Sequence, residues 1–246
     1  MIDWLPEDSP AYFPETQCAQ EEPNGLLAAG GLLTPSWLIT AYKRGIFPWY
    51  DDESPVLWWS PAPRMILKAE DFHIGRSLGK LMRKSPYQVS CDLAFSEVIY
   101  QCAQPRDDEA GTWITDEMEQ AYIRLNSNGI SHSVECWSED GDLIGGLYGL
   151  LISRVFYGES MFSRASNSSK LVFAYFAQYL FNSGIQIIDC QMHSDHMAQF
   201  GAAEVEREEF ETLLATCLLN TTDAADEAES GEHGGAATIK KKNRKR

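Results

Sequence analysis

Two apolar runs, residues 156–163 and 185–191, constrain the fold most, because each carries a single carboxylate, Glu159 in the first and Asp189 in the second. Both read as buried strands. An acid there is unfavourable unless it is paired or used, since desolvation opposes its charge. The segment between them, 168–182, has helical spacing, with Val172, Phe173, Phe176, Tyr179 and Leu180 on its apolar side and Gly184 as the stop. One strand–helix–strand unit would let both acids bracket one pocket. Gln191 lies two residues beyond Asp189, hence on the same face of a strand. An acceptor beside an amide that both donates and accepts suits orienting and deprotonating an amine. The structural alternative pairs the acids with Arg154 or Arg164.

The remaining chain organises around this unit. Thr34 as N-cap, Pro35 in the first turn, Lys43 and Arg44 in the last turn and Gly45 after it punctuate a short helix. Residues 64–67, 87–90, 133–137, 143–152 and 156–162 read as strands. Residues 115–128 read as a helix with Met118, Ala121, Tyr122 and Leu125 buried. The pattern predicts an α+β class with α/β character: a mixed sheet flanked by helices. Residues 1–62 form a small N-terminal unit and 63–219 the larger one. Residues 220–246 run acidic and then basic, with six cations after Ile239, and read as disordered.

With 246 residues, 44% of them hydrophobic, a sizeable core can form, and no apolar run reaches the length of a membrane span. Met1–Trp4 is not the basic start of a signal peptide, and the six scattered cysteines lack a C-x-x-C pair, so a cytoplasmic protein with reduced thiols is expected. Net charge is −16, which argues against a nucleic-acid partner. Its distribution argues otherwise. Residues 73–86 hold Arg76, Lys80, Arg83 and Lys84 with no acid, at spacings that share one helix face. That face is either ordinary solvated surface or a phosphate-binding surface, whose four contacts would give a log–log salt slope of roughly −3 to −4. Trp49, Trp58, Trp59 and Trp113 sit beside Pro or Gly. They either fill core or stack nucleobases, at about 1–3 kcal/mol per base. The cluster Cys190, His193, Asp195, His196 fits no standard metal set, and Ser160 and Ser163 lack a nucleophile elbow, so neither a metal site nor a serine hydrolase is expected.

An ordered string of motifs over residues 22–212 resembles the leucyl/phenylalanyl-tRNA–protein transferase family. They are PNGLL (23–27), AYKRGIFPW (41–49), WWSP (58–61), GTWIT (111–115), HSVE (132–135), GGLYG (145–149), GESMFS (158–163) and IDCQ (188–191). Leu32, Ser168, Ser194 and Gln199-Phe200 depart from the family pattern without touching these groups. The resemblance implies a small N-terminal domain joined to one resembling the N-acetyltransferase fold. It also implies transfer of Leu or Phe, with Met as a further candidate, from aminoacyl-tRNA to proteins beginning with Arg or Lys, marking them for N-degron degradation.

By the same resemblance, Trp49 and Trp113 hold the terminal adenosine of the tRNA, and Arg76, Lys80, Arg83 and Lys84 grip the acceptor stem. Leu147, Met161, Phe176, Leu180 and Ile188 line the side-chain pocket, where burial contributes roughly 1.5–3 kcal/mol. Glu159 positions the aminoacyl group, and Asp189 with Gln191 orients and helps deprotonate the attacking amine. No cofactor and no metal is implied, since an ester is already activated and an α-amine has a pKa of about 7.7–8.0. A monomer is the default. Two rivals remain: a coenzyme A-dependent N-acetyltransferase, disfavoured because residues 164–170 contain no Gly-rich pyrophosphate loop, and a non-enzymatic RNA-binding module, which needs none of the three polar residues.

Overall fold

The computed structural model describes residues 2–105 and 113–219. The 220–246 tail, and Gly111 and Thr112 of the Trp113 motif, lie outside the described residues. The chain opens with β1 (Asp3–Leu5), β2 (Leu26–Gly30), α1 (Pro35–Tyr42), β3 (Phe47–Pro48) and β4 (Leu57–Trp59). These strands form a small sheet in the order β1-β2-β4-β3. Thr34 caps α1, its hydroxyl accepting from the Trp37 amide at 3.5 Å. Beyond the helix, Gly45 takes φ +72°, where a Cβ would stand 2.6 Å from the Phe210 ring. Lys43 and Arg44 fall after the helix, on the turn that closes it.

The second sheet begins with β5 (Arg64–Lys68), followed by α2 (Arg76–Lys84), β6 (Gln88–Cys91), α3 (Phe95–Cys102) and α4 (Asp116–Ser127). It continues with β7 (Ser131–Trp137), β8 (Leu143–Ile152), β9 (Val155–Ser163), α5 (Ser168–Asn182) and β10 (Ile187–Gln191), and ends with α6 (Asp195–Ala198), β11 (Ala203–Val205) and α7 (Arg207–Leu219). The strand order is β11-β5-β10-β9-β8-β7-β6. Every neighbour is antiparallel except β9 and β10. A parallel pair needs a crossover, and α5 supplies it. The α5 boundaries match the sequence reading, but Tyr179 stays 47% exposed at the border of the buried stripe rather than inside it.

Side chains alternate across β8, so the large sheet carries two cores. On one face Leu147 and Phe156 pack with Leu171, Phe173 and Phe176 of α5. On the other, Tyr148 and Leu150 pack with α3, α4 and the small sheet, through Val98, Tyr122, Tyr42 and Trp58. This second core is continuous across the change of sheet between Trp59 and Arg64.

Candidate active site

The parallel pairing of β9 with β10 runs Val155↔Ile187, Phe156↔Ile188, Tyr157↔Asp189 and stops there. Immediately beyond, each strand carries an irregularity. On β9, Tyr148 faces Ser160 and Gly149 faces Gly158, leaving Glu159 as the extra residue of a bulge. On β10, Asp189 faces Ile66 and Gln191 faces Met65, leaving Cys190 extra. Bulges end pairing and re-aim side chains. The two strands therefore part where their polar residues lie, and a cavity of about 360 Å³ opens between them.

One side of the cavity is apolar: Leu147, Phe156, Met161, Phe173, Ile188 and Met197. Of the five expected pocket residues, Leu147, Met161 and Ile188 line it. Phe176 and Leu180 do not. Both are buried beneath it, Phe176 meeting the lining residue Phe156 edge-on at 4.8 Å. The rest of the lining is mostly polar, including Tyr148, Glu159, Gln191, His196 and the solvent-inaccessible Asp189, with half-buried Trp113 beside them. Trp49 is not among the lining residues. It is 38% exposed and packs on Trp59 at 5.3 Å, whose indole donates to the Trp49 carbonyl at 2.6 Å. Trp58 is core, its indole donating to the Gly30 carbonyl.

Glu159 is half-buried and makes no ion pair with Arg154 or Arg164. Its carboxylate accepts from the Tyr42 hydroxyl at 2.7 Å and the Tyr122 hydroxyl at 2.8 Å, and those two hydroxyls are 2.5 Å apart. The Gln191 amide stands 3.5 Å from the same carboxylate. Burial pushes the Glu159 carboxyl up to about 7, against the pull of the two phenol donors. Burial and the nearby Glu159 charge raise both tyrosines well above the usual phenol range, so they stay protonated donors. In the sequence Tyr122 reads as a plain core residue and Tyr42 only as part of a helix and of the 41–49 motif. The signal that could have singled them out is that a buried Tyr hydroxyl needs a partner.

Asp189 has no solvent exposure, and its partner is Arg64, not Arg154 or Arg164. The Arg64 Nε donates to one carboxylate oxygen at 2.9 Å and its Nη2 to the other at 2.7 Å. The guanidinium is held between the Phe47 and Phe210 rings, each centroid 4.9 Å away. The Gln191 backbone N–H adds a third bond to Asp189, at 2.9 Å. Gln191 has φ +57°, a left-handed conformation unfavourable for a non-glycine residue unless its surroundings enforce it. Thus Asp189 and Gln191 are linked by a backbone hydrogen bond across a bulge, not by sharing a flat strand face.

The basic residues are where the periodicity puts them. Arg76, Lys80, Arg83 and Lys84 are all exposed on α2, Met82 is buried beneath, and the Tyr175 hydroxyl bonds the Met82 carbonyl at 2.7 Å. Among the described residues no group of His, Cys, Asp and Glu could hold a metal, and no helix is long and apolar enough to cross a membrane. His132 pairs with Asp92 at 2.8 Å. Glu135 of the same motif is fully buried and satisfied by Ser90 and Ser133, each at 2.5 Å.

A family model described as leucyl/phenylalanyl-tRNA protein transferase matches residues 66–215, and a model for that family's N-terminal domain matches 31–62. A leucyl/phenylalanyl-tRNA–protein transferase of Saccharophagus degradans is 53% identical over 216 residues, covering 87% of this chain and 88% of its own. Similar relatives bearing the same name come from an Azoarcus species, 52% identical over 85% of this chain and 88% of its own, and from Pseudomonas putida, 52% identical over 92% and 99%. A parallel strand pair opened by two bulges, with Glu159 on one and Gln191 on the other, therefore sits within a chain that belongs to the leucyl/phenylalanyl-tRNA protein transferase family of aminoacyl-transferring enzymes.

Proposed function

We propose that this chain moves Leu or Phe, and Met where volume permits, from aminoacyl-tRNA to the α-amine of proteins beginning with Arg or Lys. The products enter N-degron degradation in the cytoplasm. The observation that carries this reading is the cavity itself: an apolar side for the donor side chain, facing a Glu159–Gln191 pair 3.5 Å apart. The apolar wall accepts a Leu or Phe side chain by area and rejects a charged one by desolvation. Trp113 at the edge, with Trp49, stacks the terminal adenosine, and the α2 cations hold the acceptor stem.

In the transfer, the neutral α-amine attacks the ester carbonyl. The C–N bond forms, the bond from carbonyl carbon to ribose oxygen breaks, and the amine proton ends on that oxygen. Gln191 receives the amine through its side-chain carbonyl. Asp189 is a positioning residue: both its oxygens are bonded to Arg64 and one also to the Gln191 N–H, so it fixes Gln191 rather than meeting the amine. Glu159 anchors the donor and, at about 7, is poised to carry the proton between amine and ribose oxygen. Holding both reactants in one cavity supplies most of the acceleration. The test mixes the protein with leucyl-tRNA and a peptide beginning with Arg, without ATP or acetyl-coenzyme A. Leucine appears on that peptide and not on its N-acetylated form; no transfer to the free peptide sinks the proposal.

A further inference from the structure

The reaction cavity continues past its wall. A second cavity of about 610 Å³ shares Met161 and His196 with it and is otherwise lined by Gln101, Gln104, Ser163, Arg164 and Ser169, among others. A third, of about 600 Å³, is lined by Asn167 and Lys170 and reaches Arg76, the first residue of basic α2. Ser169 and Lys170 are consecutive, so the two cavities flank the first turn of α5.

Their charge sets them apart. The chain has 36 acids, yet among the described residues no Asp or Glu lines either cavity. Arg164 donates to the Gln101 side-chain carbonyl and Lys170 to that of Gln199 at 3.2 Å. Neutral amides hold both cations in place, and neither cation has a carboxylate partner among the described residues. At the junction, His196 stacks on Phe200 at 5.8 Å, and its Nε2 is buried with no hydrogen-bond partner. A buried polar nitrogen is normally satisfied, and this one, on a residue lining both the reaction cavity and the second cavity, has a hydrogen bond left to make. Burial and the Lys170 charge lower its pKa, which keeps the ring neutral.

We infer that these two cavities are the track for the single-stranded nucleotides 5′ of the donor's terminal adenosine, with Arg164 and Lys170 each facing a phosphate and His196 Nε2 bonding a base edge or ribose hydroxyl. The inference rests on the aminoacyl-tRNA reading above. Among the described residues the track offers two cations and no carboxylate, which opposes the cationic first residue of an acceptor peptide. The lane leads from the reaction cavity toward the basic α2 face, so a strand along it stays beside cations on an otherwise acidic protein.

The test compares two donors with one acceptor peptide: leucyl-tRNA, which has these nucleotides, and 3′-O-leucyl-adenosine, which lacks them. In Arg164→Ala/Lys170→Ala, the ratio of kcat/KM for leucyl-tRNA to that for the adenosine ester falls about tenfold, through KM, as expected for two lost charge-assisted phosphate contacts. The log–log salt slope for the tRNA donor becomes shallower by about 1.4. Arg164→Lys/Lys170→Arg restores most of the ratio, which a merely structural role would not require. An unchanged ratio and slope overturn the track while leaving the transferase reading intact. Wild-type protein inactive with both donors overturns that reading, and the track with it.

Discussion

Three side chains decide how the site works, and each suggests a measurement. Glu159 has a folded pKa raised to about 7, above the ordinary carboxylate value. The sign follows: the native state binds the extra proton, so this group's contribution to stability declines as pH rises between the ordinary value and about 7. Activity moves the opposite way if the carboxylate is the working form, with kcat/KM climbing through about 7. Tyr42→Phe removes a donor to the carboxylate, so that limb moves to higher pH. Glu159→Gln abolishes it and leaves only the limb of the acceptor amine. A limb unmoved in Tyr42→Phe contradicts the assignment. Asp189→Asn strands Arg64 in a buried site, and breaking such a pair costs about 3–5 kcal/mol in urea unfolding. Arg64→Met/Asp189→Leu recovers much of that stability but not activity, because Gln191 loses its anchor. Full activity in the double variant would remove Asp189 from the mechanism.

Glu159, Asp189 and Gln191 were legible as chemistry because acids in apolar runs are anomalous on their own. Their partners were not. Arg64 lies 125 residues from Asp189 and looked like the polar start of a strand, while Tyr122 looked like helix core and Tyr42 like an ordinary helix residue. Nothing local encodes where a phenol or guanidinium ends up across a sheet.

At the scale of elements, strand–helix–strand periodicity gave α5 and its neighbouring strands correctly, whereas the bulges were invisible. A bulge is a property of pairing, so it depends on the partner strand: β8, one tight turn before β9, and β5, more than a hundred residues before β10. Gly149 faces the β9 bulge, and a Cβ there would stand 2.1 Å from the Tyr157 carbonyl oxygen, which is backbone and cannot yield cheaply. Gly149→Ala therefore shifts the bulge, with a stability loss of about 1–3 kcal/mol and a larger proportional loss of transfer rate. Wild-type rates in that variant would show that the bulge does not position Glu159. On α2, Lys80→Ala weakens leucyl-tRNA binding and reduces its log–log salt slope by about one unit, without changing Leu versus Phe preference.

For the whole molecule, the sequence suggests two units, yet the second core runs from Leu5, Tyr42 and Trp58 through Tyr122 to Tyr148. Tryptophan fluorescence, five of whose seven sources lie in residues 1–62, and far-ultraviolet dichroism of the helices should then report one urea transition. Two separated midpoints would mean that the sheets fold independently. The same continuity explains the site: Tyr42 from the small unit and Tyr122 from the large one meet on Glu159. The central claim is that Gln191, pinned by Asp189, presents the acceptor amine to an ester held beside Glu159. Single-turnover transfer from saturating leucyl-tRNA to a peptide beginning with Arg tests it most directly. In Gln191→Ala the rate should fall about 100-fold, as for a misplaced reactant, with leucyl-tRNA still bound. A wild-type rate in that variant would contradict the account.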